Sequence, residues 1–199
     1  MVTGPAPSAV LATSRRSFVR TVLAAAGASG SAAVVAGCST RRHKPEPIET
    51  PAKKTALQAD VPLLNSALDL EHRTIAAYTA SIPLLSGEPH AAAKLFLDQE
   101  FEHASELSAL IHKGGGKPNL PRPSYALGNP RSETAVLALL HSVERDEIAA
   151  YLDLLPALTH GVVRSTVASI LGTEAEHISF VRGALGSTPV PRAFVTPAE

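Results

Sequence analysis

The chain has 199 residues, with 18 Lys and Arg against 18 Asp and Glu, one cysteine, no tryptophan and only 4% aromatic residues. That length allows one ordinary domain plus extensions; the lone cysteine excludes an internal disulfide and any cysteine-based zinc or iron–sulfur site, and the lack of a basic face with interleaved aromatics excludes a nucleic-acid partner. The abundance of Ala and Leu suits packed helices better than a sheet, because strands favour β-branched and aromatic residues.

Residues 1–37 carry Arg15, Arg16 and Arg20 and no acid. The run from Ser14 through Arg15 and Arg16 to Arg20 resembles the twin-arginine pattern of bacterial export signals. The apolar run after it, Thr21 to Ala36, is diluted by Gly and Ser and makes a poor membrane span. Val35, Ala36, Gly37 and Cys38 then resemble a lipobox, in which the cysteine is lipidated and becomes the new N-terminus. A plain signal-peptidase site with an incidental cysteine is the alternative. The resemblance implies export by the twin-arginine route, which carries folded proteins, and a lipid anchor at Cys38 on the extracytoplasmic face of the cell membrane. Residues 38–59 read as that cysteine followed by a flexible basic tether, interrupted by Pro45, Pro47 and Pro51.

A four-helix domain is expected over residues 60–186. The first helix runs from about Asp60, a plausible N-cap, to about Leu85, with Pro83 kinking it or marking its last turn. The second opens at Pro89 and stops before Gly114, Gly115 and Gly116. The third starts near Asn129 or Ser132 and ends near His160. The fourth runs from Val162 to Leu185 and is closed by Gly186. Each is roughly 38 Å long at the α-helical rise. Helices one and two, and helices three and four, are joined by short links and should lie antiparallel. The Gly/Pro-rich link from Gly114 to Arg131 can stretch roughly 55–60 Å. Short, long, short connectivity gives an all-α, antiparallel four-helix bundle with one long crossover between helices two and three. The Pro-rich tail, residues 187–199, should form no fifth helix.

The domain repeats itself. Glu71 to Tyr78 on helix one lies over Glu144 to Tyr151 on helix three, and the stretch Gln99 to His103 on helix two lies over Thr173 to His177 on helix four. The shift, about 73–74 residues, is far too long for a solenoid unit; it describes two helical hairpins packed face to face. In each Glu-x-x-His the two side chains share one helix face. A single such pair is weak; the second copy raises the signal. Glu71, Glu100, Glu144 and Glu174 all fall near mid-helix, so in an antiparallel bundle they meet at one level with His103 and His177. Buried carboxylates crowded in this way need protons or partners. Two divalent cations balance four carboxylates, and carboxylate with imidazole suits iron or manganese, with zinc also acceptable.

One Glu on helices one and three, with Glu-x-x-His on helices two and four, resembles the di-iron or di-manganese pattern of the ferritin-like superfamily, over roughly residues 60–185. The resemblance implies Glu71, Glu100, His103, Glu144, Glu174 and His177 as ligands of two metal ions. It implies ferroxidase, peroxidase, catalase or oxygenase chemistry, of the di-metal oxidase or peroxidase type, with O₂ or peroxide as the small-molecule substrate. Glu147 stands where the rubrerythrins carry an extra carboxylate, which would make it a seventh ligand or a nearby polar group. Their four-cysteine rubredoxin domain has no counterpart here, so a peroxidase would need an external electron donor. The pattern also looks like the ferritin-like domain of exported actinobacterial lipoproteins, a group of unsettled activity.

Tyr78 and Tyr151 lie two turns beyond Glu71 and Glu144 and should face inward, where they could hydrogen-bond ligand carboxylates. Glu102 and Glu176 turn outward. His141 is either a partner of Glu144 or a surface group, and His72, His90, His112 and His160 read as surface residues. A non-enzymatic metal-binding or scaffolding lipoprotein of the envelope is the other reading of the whole, and a homodimer is compatible with either. A storage-cage subunit fits less well, since a fifth helix is missing and a lipid anchor conflicts with cage assembly.

Overall fold

The computed structural model describes residues 55–193. The twin-arginine-like segment, Cys38 and nearly all of the tether fall outside these residues, as do residues 194–199. Four α-helices and no strand are present among the described residues: α1 (Ala56–Ser81), α2 (Gly87–Lys113), α3 (Glu133–Ala157) and α4 (Gly161–Ala184). No helix of the described residues is long and apolar enough to cross a membrane.

Helix α1 starts one turn before the expected Asp60, because Thr55 is the N-cap. Its hydroxyl accepts from the Gln58 N–H at 3.2 Å, and its own N–H donates to Gln58 Oε1 at 2.9 Å, a reciprocal capping box that satisfies two donors. Asp60 is buried inside the helix and caps the start of α4 instead. Its Oδ1 accepts from the Thr159 N–H and hydroxyl, both at 2.8 Å, and its Oδ2 accepts from the His160 N–H at 2.8 Å. His160 is the N-cap of α4 and makes no side-chain cap bond of its own. Helix α1 also ends before the expected Leu85. Pro83 converts its exit into a single 3₁₀ turn, Ile82–Leu84, since proline cannot continue an α-helical ladder.

Helices α2 and α4 close in the same way. Gly115 (φ 75°) and Gly186 (φ 72°) take the left-handed conformation, and Gly116 and Ser187 donate back to Ile111 and Arg182 carbonyls at 2.9 Å, as in a Schellman motif. Helix α3 begins after Ser132, whose hydroxyl accepts from the Ala135 N–H at 3.2 Å. It ends one turn before the expected His160, where Leu158 turns to extended backbone (ψ 136°). The crossover between α2 and α3 is pinned on α1. Asn65 Nδ2 donates to the Lys117 carbonyl at 3.2 Å, and Asn119 donates to Asn65 at 2.7 Å and to Asp69 at 3.0 Å. Beyond Ala184 the described residues hold no further helix.

The core lies in two apolar layers. One gathers Leu57, Leu64, Leu68, Leu107, Ile111, Val163 and Val167; the other gathers Ala77, Leu85, Val136, Leu140, Val143 and Val181. Each fully buried aliphatic side chain contributes about 1.5–3 kcal/mol. Between the layers sit five buried glutamates, Glu71, Glu100, Glu144, Glu147 and Glu174. In α1 the buried positions Leu64, Ala67, Leu68, Glu71, Thr74, Ala77 and Tyr78 follow one helical stripe, so the stripe that builds the core also carries the carboxylate inward.

Candidate metal centre

The six residues of the paired motif converge. Glu71, Glu100, His103 and Glu174 each offer one ligand atom, all within 4.8 Å of one another; so do Glu100, Glu144, Glu174 and His177. The two groups share Glu100 and Glu174. Each adds one private carboxylate, Glu71 or Glu144, and one imidazole, His103 or His177. His103 Nδ1 lies 2.9 Å from Glu174, 3.6 Å from Glu100 and 3.7 Å from Glu71. His177 Nδ1 lies 3.1 Å from Glu100, 3.2 Å from Glu174 and 3.6 Å from Glu144. Each histidine reaches the glutamate of the opposite motif, so α2 and α4 run antiparallel across the centre.

The tyrosines cross over in the same manner. Tyr78 on α1 donates to Glu144 on α3, and Tyr151 on α3 donates to Glu71 on α1. That pairing makes α1 and α3 antiparallel, as does the ion pair of Arg73 with Asp146 at 3.0 Å. Both hydroxyls stay protonated donors, because burial and the adjacent carboxylate push each tyrosine well above its usual range.

The donor atoms are otherwise unsatisfied. Both oxygens of Glu100, Glu147 and Glu174, one oxygen each of Glu71 and Glu144, and Nδ1 of both histidines are buried without a hydrogen bond of proper geometry. Native interiors rarely leave polar atoms in this state. A buried ion costs several kcal/mol, and a domain's whole stability is about 5–15 kcal/mol, so five buried glutamates cannot all stay charged and uncompensated. Their titration shows the strain. Burial, then the neighbouring carboxylates, push Glu71 and Glu147 well above the ordinary range. Burial pushes Glu144 up as well, partly offset by His177. Burial alone would lower His103, but the carboxylates of Glu100 and Glu174 outweigh it and push it up to about 9. In the same balance Glu100, Glu144 and Glu174 push His177 up to about 12. Burial would raise Glu174, but the two imidazoles pull it down to about 2. Four to five carboxylates with two imidazoles, oxygen-rich and mixed with nitrogen, fit two cations of the iron or manganese kind.

Glu147 is buried beside the cluster, 1% exposed, and belongs to neither four-residue group. Glu102 and Glu176 are exposed. His141 is half-buried and accepts from Arg182 Nε at 3.3 Å. His72 and His160 are also half-buried, each with a buried Nδ1 that finds no hydrogen bond. They are therefore not fully surface residues.

Two residues around the centre had no role in the sequence reading. His177 Nε2 donates to Gln99 Oε1 at 2.8 Å, which fixes the tautomer and turns Nδ1 toward the carboxylates. Phe96 stacks on His177 with ring centroids 4.1 Å apart. The signal lay in the spacing: Phe96, Gln99 and His103 follow one helical stripe.

A family model described as a ferritin-like domain matches residues 59–187. No curated protein sequence matches the chain significantly. Among solved structures, the fold is similar to that of a conserved hypothetical protein, rv2844, from Mycobacterium tuberculosis, with 20% identity, a TM-score of 0.62, and coverage of 71% of this chain and 100% of that one. A ferritin-like, diiron-carboxylate protein from Bacillus anthracis gives 17% identity and a TM-score of 0.58 over 67% of this chain and 99% of that one. The bacterioferritin of Desulfovibrio desulfuricans, described with a diiron site, gives 19% identity and 0.57 over 67% and 82%. At these identities the structures speak for the fold alone, while the family match spans most of the chain: it belongs to the ferritin-like domain family.

Proposed function

We infer that this chain binds a dinuclear iron or manganese centre and carries out redox chemistry with O₂ or peroxide while tethered to the outer face of the cell membrane. The observation that carries the metal reading is the pair of interlocked donor sets sharing Glu100 and Glu174. Similar folds described as diiron proteins favour iron. Glu100 and Glu174, common to both donor sets, would help to hold both ions. Glu71 with His103 would complete one position, and Glu144 with His177 the other. When bound, such a pair would supply Lewis acidity and redox equivalents toward a small oxidant.

The chain's own side chains prepare that chemistry. Tyr78 and Tyr151 orient the private carboxylates, and Gln99 holds the imidazole of His177. The apolar layers above and below keep water out. Glu147 is buried beside the centre, and burial with the surrounding carboxylates raises its affinity for a proton. Standing outside both donor sets, it is a buried carboxyl that would be left to hold or release a proton beside the centre. The tether reading rests on Cys38 and its small neighbours in the sequence.

The test is metal content per chain, measured on protein exported and purified from its own host without affinity-metal columns. About two equivalents of iron or manganese, as a dinuclear site requires, are expected. The double variant Glu100→Gln with Glu174→Gln should strip both. Metal content unchanged in that variant would show that the site is elsewhere. Full metal with no turnover of O₂ or peroxide, with any small-molecule or protein reductant, would favour the non-enzymatic metal-binding reading.

A further inference from the structure

The two halves of the bundle match at the ligands and differ in what covers them. On the His177 side, Phe96 stacks on the imidazole at 4.1 Å and Phe180 packs edge-on against Phe96 at 5.6 Å. Gln99 occupies Nε2. The His177 side chain is 1% exposed. Under the internal repeat, the positions answering to Phe96, Gln99 and Phe180 are Ile170, Thr173 and Glu106. Those three residues line a groove of about 290 Å³ between α2 and α4, together with Glu102, Ser169 and His103. The His103 side chain is 11% exposed. Next to its Nδ1 lie Glu71 Oε2 at 3.7 Å and Glu100 Oε2 at 3.6 Å, buried and without hydrogen bonds. One side of the centre is thus closed by an aromatic plug. The other is an acidic groove with shorter hydroxylic side chains, and unsatisfied donor atoms lie behind its wall.

We propose that this groove is the port by which divalent cations enter the centre, so that the Glu71–His103 position exchanges its ion with solvent while the Glu144–His177 position is sealed. The inference rests on the dinuclear reading above and adds an order to the two positions. Glu102 and Glu106 concentrate cations at the mouth, as acidic clefts do. Thr173 and Ser169 leave room that Gln99 and its aromatic neighbours fill on the other side, and their hydroxyls can carry a partly hydrated ion. His103 is both wall and ligand, so its ring is the last group an entering ion meets.

The experiment loads the full chain with about two equivalents of Co²⁺, the number a dinuclear site takes, and follows release to excess EDTA by ligand-field absorbance. Two phases separated by at least about tenfold are expected, as for one open and one closed coordination site. Ile170→Phe combined with Thr173→Gln transplants the plug and should slow the fast phase about tenfold, leaving the slow phase in place. Phe96→Ile combined with Gln99→Thr opens the other side and should speed the slow phase. Glu102→Gln combined with Glu106→Gln changes only exposed groups. It should keep the melting temperature and stoichiometry, slow Co²⁺ association about tenfold and weaken its salt dependence. A chain that takes up no Co²⁺ overturns the metal-centre reading itself. A chain that binds two ions and releases them in one phase overturns the port and leaves the centre standing. So does one whose two phases ignore the transplants and the acidic pair.

Discussion

The hydroxyl of Tyr151 on α3 donates to Oε1 of Glu71 on α1. Its repeat partner Tyr78 does the same, in reverse, for Glu144. In Glu71 the bond leaves Oε2 free, 3.7 Å from His103 Nδ1, whereas in Glu144 the tyrosine-bound Oε1 itself lies 3.6 Å from His177 Nδ1. Tyr151→Phe removes the donor and keeps the ring, so the bundle should still fold. Metal affinity should fall about 10–100-fold, the usual cost of losing a ligand's outer partner. Competition titration against a chelator measures it. Tyr78→Phe should give the same loss at the other position, and an unchanged affinity in both variants would reduce the tyrosines to core packing.

The metal-free protein should lose stability as pH rises, and the loaded protein should not. Glu71, Glu144 and Glu147 have folded-state affinities for protons raised above the ordinary value of 4.5, and His103 is raised from 6.5 to about 9. A raised group contributes stability that is full below its unfolded value and lost as pH rises through the folded one. Glu174, lowered from 4.5 to about 2, acts oppositely and loses its contribution in acid. The metal-free optimum therefore falls near pH 4.5, the ordinary glutamate value, with Glu174 losing its contribution below it, the raised glutamates losing theirs above it, and His103 adding to the loss above 6.5. Metal binding displaces these protons, so the gap in melting temperature between loaded and free protein should widen from pH 5 to pH 8. Calorimetry at three pH values with and without Mn²⁺ tests it; a constant gap would count against proton release from the cluster.

Much of this was legible in the sequence because ligands on helices are read by spacing. Glu71 and Glu144 recur with Tyr78 and Tyr151 at equal offsets, and a repeat of that kind needs no tertiary information. The ends of the helices were harder. Asp60 looks like an N-cap by its type, but the capping box at Thr55 and Gln58 wins locally. Asp60 then serves a turn formed by residues a hundred positions away, Thr159 and His160, which no local rule can see. The burial of Glu147 could be inferred from its spacing to Glu144. That it stands outside both donor sets depends on distances between helices.

Glu147→Gln should leave the metal count at two, because the four-residue groups do not include this residue. It should also stabilise the metal-free protein above pH 4.5. The wild-type residue loses roughly 1.4 kcal/mol for each pH unit between its ordinary and raised values, and glutamine has no such loss. Metal analysis and urea melts at pH 5 and pH 8 check both halves. Loss of one ion in the variant would make Glu147 a ligand after all.

Asp60→Ala should destabilise the whole bundle without touching the centre. Burial raises the carboxyl's proton affinity, but the N–H groups of Thr159 and His160 and the Thr159 hydroxyl more than reverse that, so it titrates below 3.8. Removing it leaves two backbone N–H groups at the α3–α4 turn without their acceptor, where α4 has no cap of its own, a cost of about 2–3 kcal/mol. A lowered carboxyl contributes stability that is present above its unfolded value and lost as pH falls through the folded one. The difference between wild type and variant should therefore be constant at neutral pH and shrink below pH 4, while metal stoichiometry stays the same. Asp60→Asn keeps one acceptor oxygen and should recover about half of the loss. Equal urea midpoints for wild type and Asp60→Ala at pH 7 would mean that water or the turn itself satisfies those donors.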